Sequence, residues 1–190
     1  MKTKYLLSIC LLLMFSATLL AQDEEEPKKG FDKNKLFVGG NFGLSFGDFT
    51  LINVSPQVGY RFNNVLAAGA GINGIYSSTK SRYIGGQTAS RENYGVVGLN
   101  IFGRVYPIPY AFIQLQPEAN YTWGKLKYYD GRPGGTLEGK IVPSLLAGAG
   151  GAIPAGPGAF IIMAQYDVLQ NNRTPYGDKV FVSFGYNFGL

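Results

Sequence analysis

From Leu36 onward, large apolar residues alternate with small or polar ones at a period of two, the spacing that sends successive side chains to opposite faces of a strand. In the first predicted strand Leu36, Val38, Phe42, Leu44 and Phe46 share one face with Gly40. Gly39, Asn41, Gly43, Ser45 and Gly47 share the other with Phe37. The second sets Ile52, Val54, Pro56, Val58, Tyr60 and Phe62 against Asn53, Ser55, Gln57, Gly59 and Arg61. The fifth opposes Ile113, Leu115, Ala119, Tyr121 and Trp123 to Gln114, Gln116, Glu118, Asn120 and Thr122. In the last, Val180, Val182, Phe184, Tyr186 and Phe188 face away from Ser183, Gly185, Asn187 and Gly189. Glycine- and alanine-rich versions of the same pattern predict a third strand near 65–76, a fourth near 94–106, a sixth near 140–153 and a seventh near 159–168. No segment carries a period of 3.6, so the expected class is all-β.

The links between these segments alternate in length. Short ones follow the second, fourth and sixth strands: Asn63-Asn64, Pro107 to Pro109, and Pro154 to Pro157. Long polar ones, 77–92, 124–139 and 170–179, follow the third, fifth and seventh, while the first link at Gly47-Asp48 is short. Even strand number with short turns at one end and long loops at the other is the habit of outer-membrane barrels. Pro56, Pro117 and Pro143 fall inside predicted strands and cannot donate to a ladder, so bulges or shifted boundaries are expected there.

Volume decides which face points inward. An eight-stranded barrel has room for little beyond its own side chains, which suits Gly, Ser, Asn and Gln better than Phe42, Tyr60, Tyr121, Trp123 and Phe184. The bulky face is therefore expected outside, against lipid, with Val54, Val58, Leu99, Ile101, Leu115, Leu145 and Ile162 forming the middle of the band. Tyr60 and Phe62 at the short-turn end, and Tyr121 and Trp123 at the long-loop end, are the expected aromatic girdle. Strands of about ten residues at about 3.3 Å each, tilted by about 40°, span the roughly 25 Å of the apolar band. Closure gives every backbone amide in hydrocarbon a partner.

The first residues fit this destination. Lys2 and Lys4 precede an apolar run from Tyr5 to Leu20, then Ala21 and the acidic stretch from Asp23 to Glu26. That is the layout of a cleaved signal peptide, and the run is too short for a spanning helix. The expected organisation is a signal peptide over 1–21, a polar periplasmic leader over 22–34 and a single β-barrel domain over 35–190. Cleavage removes Lys2 and Lys4, taking the formal charge from +5 to +3, too small a balance to argue for nucleic acid. It also removes Cys10, the single cysteine.

SPQVGYRF (55–62), FGRVYP (102–107) and the terminal FVSFGYNFGL resemble the outer membrane protein β-barrel domain family, small eight-stranded barrels related to the transmembrane domain of outer-membrane protein A. The resemblance spans about 35–190. It implies an eight-stranded antiparallel up-and-down transmembrane β-barrel in the bacterial outer membrane, reached through the periplasm. It also implies that the alternate aromatics Phe184, Tyr186 and Phe188 are read by the outer-membrane assembly machinery, although this chain places Leu190 after them where the family usually ends on an aromatic.

Chemistry is constrained by the absence of histidine. Serine and cysteine nucleophiles lack their usual base, so no enzyme activity, catalytic residue, metal or cofactor is expected. The run from Gly69 to Gly74 matches G-x-G-x-x-G, but no helix follows it, and glycines fitting a narrow lumen explain it better. Four charges, Arg61, Arg104, Glu118 and Asp167, fall on the inward face and are expected to join a polar network that plugs the lumen. A hairpin centred near 108 puts Arg104 opposite about residue 112, so Arg104 and Glu118 could meet only across the lumen. Lys80, Arg82, Arg91, Lys125, Lys127, Arg132, Arg173 and Lys179 make a basic rim, and all of these but Arg91 are the expected contact for lipopolysaccharide phosphates. The expected function is a monomeric, non-enzymatic barrel with a structural and surface-interaction role; the alternative is a small porin-like channel.

Overall fold

The computed structural model describes residues 32–178 and 180–189. The expected signal peptide and most of the expected leader lie outside the described residues, as do Lys179 and Leu190. A short 3-10 turn, Lys33–Lys35, leads into eight strands: β1 (Leu36–Ser45), β2 (Phe49–Arg61), β3 (Leu66–Arg82), β4 (Thr88–Ile108), β5 (Ala111–Tyr128), β6 (Gly135–Ala155), β7 (Gly158–Asp167) and β8 (Phe181–Phe188). Each pairs antiparallel with the next, and β1 pairs with β8, so the sheet closes as an up-and-down ring. Extending the registers once around returns to β1 about ten residues from the start, a stagger that tilts eight strands by about 40°.

Strand boundaries correct the sequence reading at one end. The segments 77–92 and 124–139, expected as long loops, are mostly strand: β3 runs on to Arg82, β4 starts at Thr88, β5 ends at Tyr128 and β6 starts at Gly135. True loops there are only 83–87 and 129–134. These extensions pair in register, Lys80 with Arg91 and Lys127 with Arg91, but they are polar on both faces and so lack the alternation that marks a half-buried strand.

The prolines are also accommodated differently. Irregularities in register sit at Ser81/Arg82, Val105/Ile108 and Thr122/Gly124, and none falls at Pro56, Pro117 or Pro143. Instead, each proline gives up the ladder on one flank. Pairing of β2 to β3 skips Ser55 and Pro56 and resumes in the same register at Gln57. Pairing of β5 to β4 skips Gln116 and Pro117. Pro143 pairs with Ala119 on β5, while its other flank lies beyond Leu146, where pairing to β7 stops.

Burial follows parity all around the ring. Arg104 and Asp167 are 0 % exposed, whereas Leu99 and Ile101 are 67 % and 62 % exposed. Val38, Val58, Ile72, Ile113, Ile141, Ile162 and Phe184 carry the exposed apolar face onto every strand. The interior is less uniformly polar than expected, because Phe37, Phe102, Tyr106, Phe112, Ile161 and Met163 form a buried apolar cluster inside it.

Candidate functional site: a filled lumen and a banded outer wall

Three of the inward rings fit a narrow lumen because each lies over a glycine directly opposite on a neighbouring strand. Phe37 faces Gly59, Phe102 faces Gly69 and Phe112 faces Gly150. A Cβ at any of these glycines would strike the ring. Arg104 sits among the three rings, its guanidinium carbon 4.8 Å from the centres of Phe102 and Phe112 and 5.8 Å from that of Phe37. Desolvated cation–π contacts of this kind are worth about 2 kcal/mol or more. Arg61 lies 4.6 Å over the Tyr106 ring. Both arginines thus collect at the short-turn end, and neither forms a salt bridge among the described residues.

Arg104 reaches Glu118 through amides. Its Nε donates to Gln114 Oε1, Gln114 Nε2 to Gln116 Oε1, and Gln116 Nε2 to Glu118 Oε1 at 2.7 Å. The register pairs Arg104 with Gln114 and not with residue 112, because the turn lies at Pro109-Tyr110 and not at 108; the irregularity between Val105 and Ile108 then shifts the pairing by one residue. Each glutamine turns its oxygen toward the cation and its amide nitrogen toward the carboxylate. Two charges that cannot touch are therefore joined by aligned dipoles along the inward face of β5. Asn120 Nδ2 donates to Glu118 Oε2 at 2.8 Å, and Asn73 and Asn100 extend the network across to β3 and β4. On the other side of Arg104, the Asn187 amide satisfies its neighbours only with its oxygen turned inward, where Nη1 donates to it over 3.0 Å.

The β7–β8 loop caps the opposite end. Asp167 Oδ1 accepts from the Leu145 and Leu169 amides at 3.0 and 3.2 Å, and Oδ2 accepts from the Thr174 hydroxyl. This folds the loop inward, so that the Tyr176 hydroxyl donates to Glu118 Oε2 while its ring stacks on Phe181 at 4.9 Å. Of the four charges expected inside, Arg104, Asp167 and Glu118 are buried and Arg61 is half-buried. They do not make one network: Glu118 belongs to the relay, Asp167 organises the loop and Arg61 rests on an aromatic ring.

The outer wall is banded. One row across β3, β4 and β5 reads Tyr76, Gly95, Trp123, and the Trp123 ring covers Gly95. Two rows toward the long-loop end, still on the outward face by parity, come Lys80, Arg91 and Lys127 directly opposite one another, with Lys125 between the rows. Tyr60 and Phe62 pack at 5.3 Å near the other end, and Tyr121 and Trp123 at 5.8 Å.

The basic residues of the expected rim separate into kinds. Lys80, Arg91, Lys125 and Lys127 belong to this outward band. Arg82 is taken up by Asp48 in a 2.7 Å ion pair and Arg132 by Asp130 at 2.8 Å. Arg173 turns back toward the chain and donates to the Glu138 and Thr122 carbonyls. Lys179 lies outside the described residues. At the tips of the two long hairpins, the Tyr83 hydroxyl donates to Asp130 at 2.9 Å. Hydrogen bonds from Arg132 and then Tyr83 hold the Asp130 carboxyl well below the usual carboxylate range.

Among the described residues no group of three His, Cys, Asp or Glu stands together to hold a metal ion. No family model and no curated protein matches the chain.

Proposed function

We propose that this chain is a transmembrane β-barrel of the bacterial outer membrane, similar in kind to the outer membrane protein β-barrel domain family, with a structural and surface-interaction role and no enzymatic one. The observation that carries this reading is the inverted distribution of side chains. A ring that buries Arg104, Asp167, Gln114 and Asn120 while exposing apolar residues on all eight strands is stable only where the surrounding medium is hydrocarbon. The banding supports it: an apolar belt, then Tyr76 and Trp123, then Lys80, Arg91 and Lys127 is the order of acyl chains, interface and anionic headgroups.

Like charges directly opposite on neighbouring strands repel. The row Lys80, Arg91 and Lys127 is relieved by an anion of the membrane surface, and lipopolysaccharide phosphates are the proposed contact. Asp48, whose carboxylate also lies in the field of Lys80, is already engaged by Arg82. The filled lumen favours a plug over a porin-like channel: aromatic rings and Arg104 close one end, and Tyr176 closes the other. Export as far as the outer membrane would use the signal peptide over 1–21 and the assembly machinery acting on Phe184, Tyr186 and Phe188.

Fractionation tests this directly. The expected result is recovery with outer membranes as a species that migrates faster on a gel unboiled than boiled. Recovery in the soluble fraction as a folded monomer would contradict it.

A further inference from the structure

The ring closes unevenly. Pairing of β1 to β8 consists of four pairs, from Val38 with Phe188 to Asn41 with Gly185. Both strands continue beyond that fork, β1 to Ser45 along β2 and β8 from Phe181 along β7, yet no ladder pair joins 42–45 to 181–184. Asn41 stands at the fork, packed against Gly185 with a buried Oδ1 that has no hydrogen-bond partner.

A cavity of about 270 Å³ occupies this gap. Its lining comes from both faces of the wall: Phe42, Val182 and Phe184 are outward residues, whereas Leu51, Ile75 and Phe181 point inward. It therefore passes through the wall. Those three inward residues are apolar and stand beside inward Asn41, Asn53 and Ser183, and neither closure of the ring nor the amide relay explains them. At its inner end stand Pro175 and Tyr176 of the β7–β8 loop.

We propose that this gap is a lateral binding site for one acyl tail of a surrounding lipid. The occupant follows from position and chemistry. The opening faces the apolar belt, so hydrocarbon is the medium outside it, and inside it Leu51, Ile75 and Phe181 offer apolar surface beside the polar side chains of Asn41, Asn53 and Ser183. The backbone groups of 42–45 and 181–184 on the gap side lack ladder partners, a costly state inside a bilayer. The ester region of the same lipid supplies acceptors for the amides at the rim. A purely polar solute would waste Leu51, Ile75 and Phe181, and a purely apolar one would leave the rim unsatisfied.

This inference rests on the membrane reading, and its test separates the two. Trp123, the single tryptophan, is replaced in a W123F background. Single reporters F184W (outward), F181W (inward at the gap) and M163W (inward where β7 is laddered on both sides) are folded into phospholipid vesicles. Folding is checked by heat-modifiable migration, and Y176W serves as a second gap reporter if F181W does not fold. Fluorescence is compared between ordinary lipid and lipid brominated along its acyl chains.

The expected result is strong quenching in F184W, a loss of similar size in F181W and little loss in M163W. Quenching in F184W with equal responses in F181W and M163W, whether both large or both small, overturns the lateral site and leaves the membrane reading standing. Absence of quenching in F184W overturns both.

Discussion

Glu118 shows how the interior is held at the level of single residues. Gln116, Asn120 and Tyr176 all donate to its carboxylate, and the relay from Arg104 ends on it. Glu118→Ala orphans these buried donors and leaves Arg104 without a compensating charge. A loss of roughly 3–5 kcal/mol is expected from such a buried, charge-linked group, read from urea unfolding in lipid. At the hairpin tips the titration has a definite sign. Asp130 is depressed in the folded chain, so its contact with Tyr83 and Arg132 is intact above the ordinary carboxyl value of 3.8 and is lost only as pH falls through the lowered folded value. The same hydrogen bond raises Tyr83 above its ordinary 10.0. Spectrophotometric titration should find in the native chain a tyrosine raised above that value which returns toward 10.0 in D130N. The alternation of Gln114, Gln116, Glu118 and Asn120 made the inward face of β5 legible in the sequence. The relay was not, because it depends on rotamers that orient each amide.

At the level of strands, glycine and aromatic residues work as pairs. Phe112 over Gly150, Phe102 over Gly69 and Trp123 over Gly95 are each directly opposite pairs on neighbouring strands. Gly150→Val drives the Phe112 ring from its seat, with an expected cost of roughly 1–3 kcal/mol as in other overpacked cores. Phe112→Leu in the same chain should recover part of that loss, and a double-mutant cycle by urea unfolding checks it. The sequence disclosed the glycines as small inward residues but not as ring seats, since a seat exists only once register is set. The register also exposed the cation row. Replacing Lys80, Arg91 and Lys127 by Gln removes like-charge pairs worth roughly 0.2–1 kcal/mol each, so stability in zwitterionic lipid should rise slightly. Added lipopolysaccharide should then raise the unfolding midpoint of the native chain and leave that of the triple variant unchanged. A shift of equal size in both would remove the phosphate contact from the account.

For the whole molecule, up-and-down order, strand number and the facing of most side chains were readable from a period of two and from alternating link lengths. The hairpin extensions were hidden because both of their faces meet polar surroundings, and the inner aromatic cluster was hidden because volume seemed to reserve rings for the outside. Filled at both ends, the lumen is expected to conduct almost no current in planar bilayers. Deleting 171–177 removes Tyr176 and Arg173 from the mouth and should raise conductance only modestly, since Arg104 and its three rings still close the far end. The account rests on the apolar wall requiring lipid. Its most direct test is to dilute the urea-unfolded chain lacking residues 1–21 either into phospholipid vesicles or into plain buffer, following β-sheet circular dichroism and unboiled gel migration. Native sheet and fast migration are expected with vesicles alone. A folded, monomeric, soluble species in buffer without detergent or lipid would contradict it.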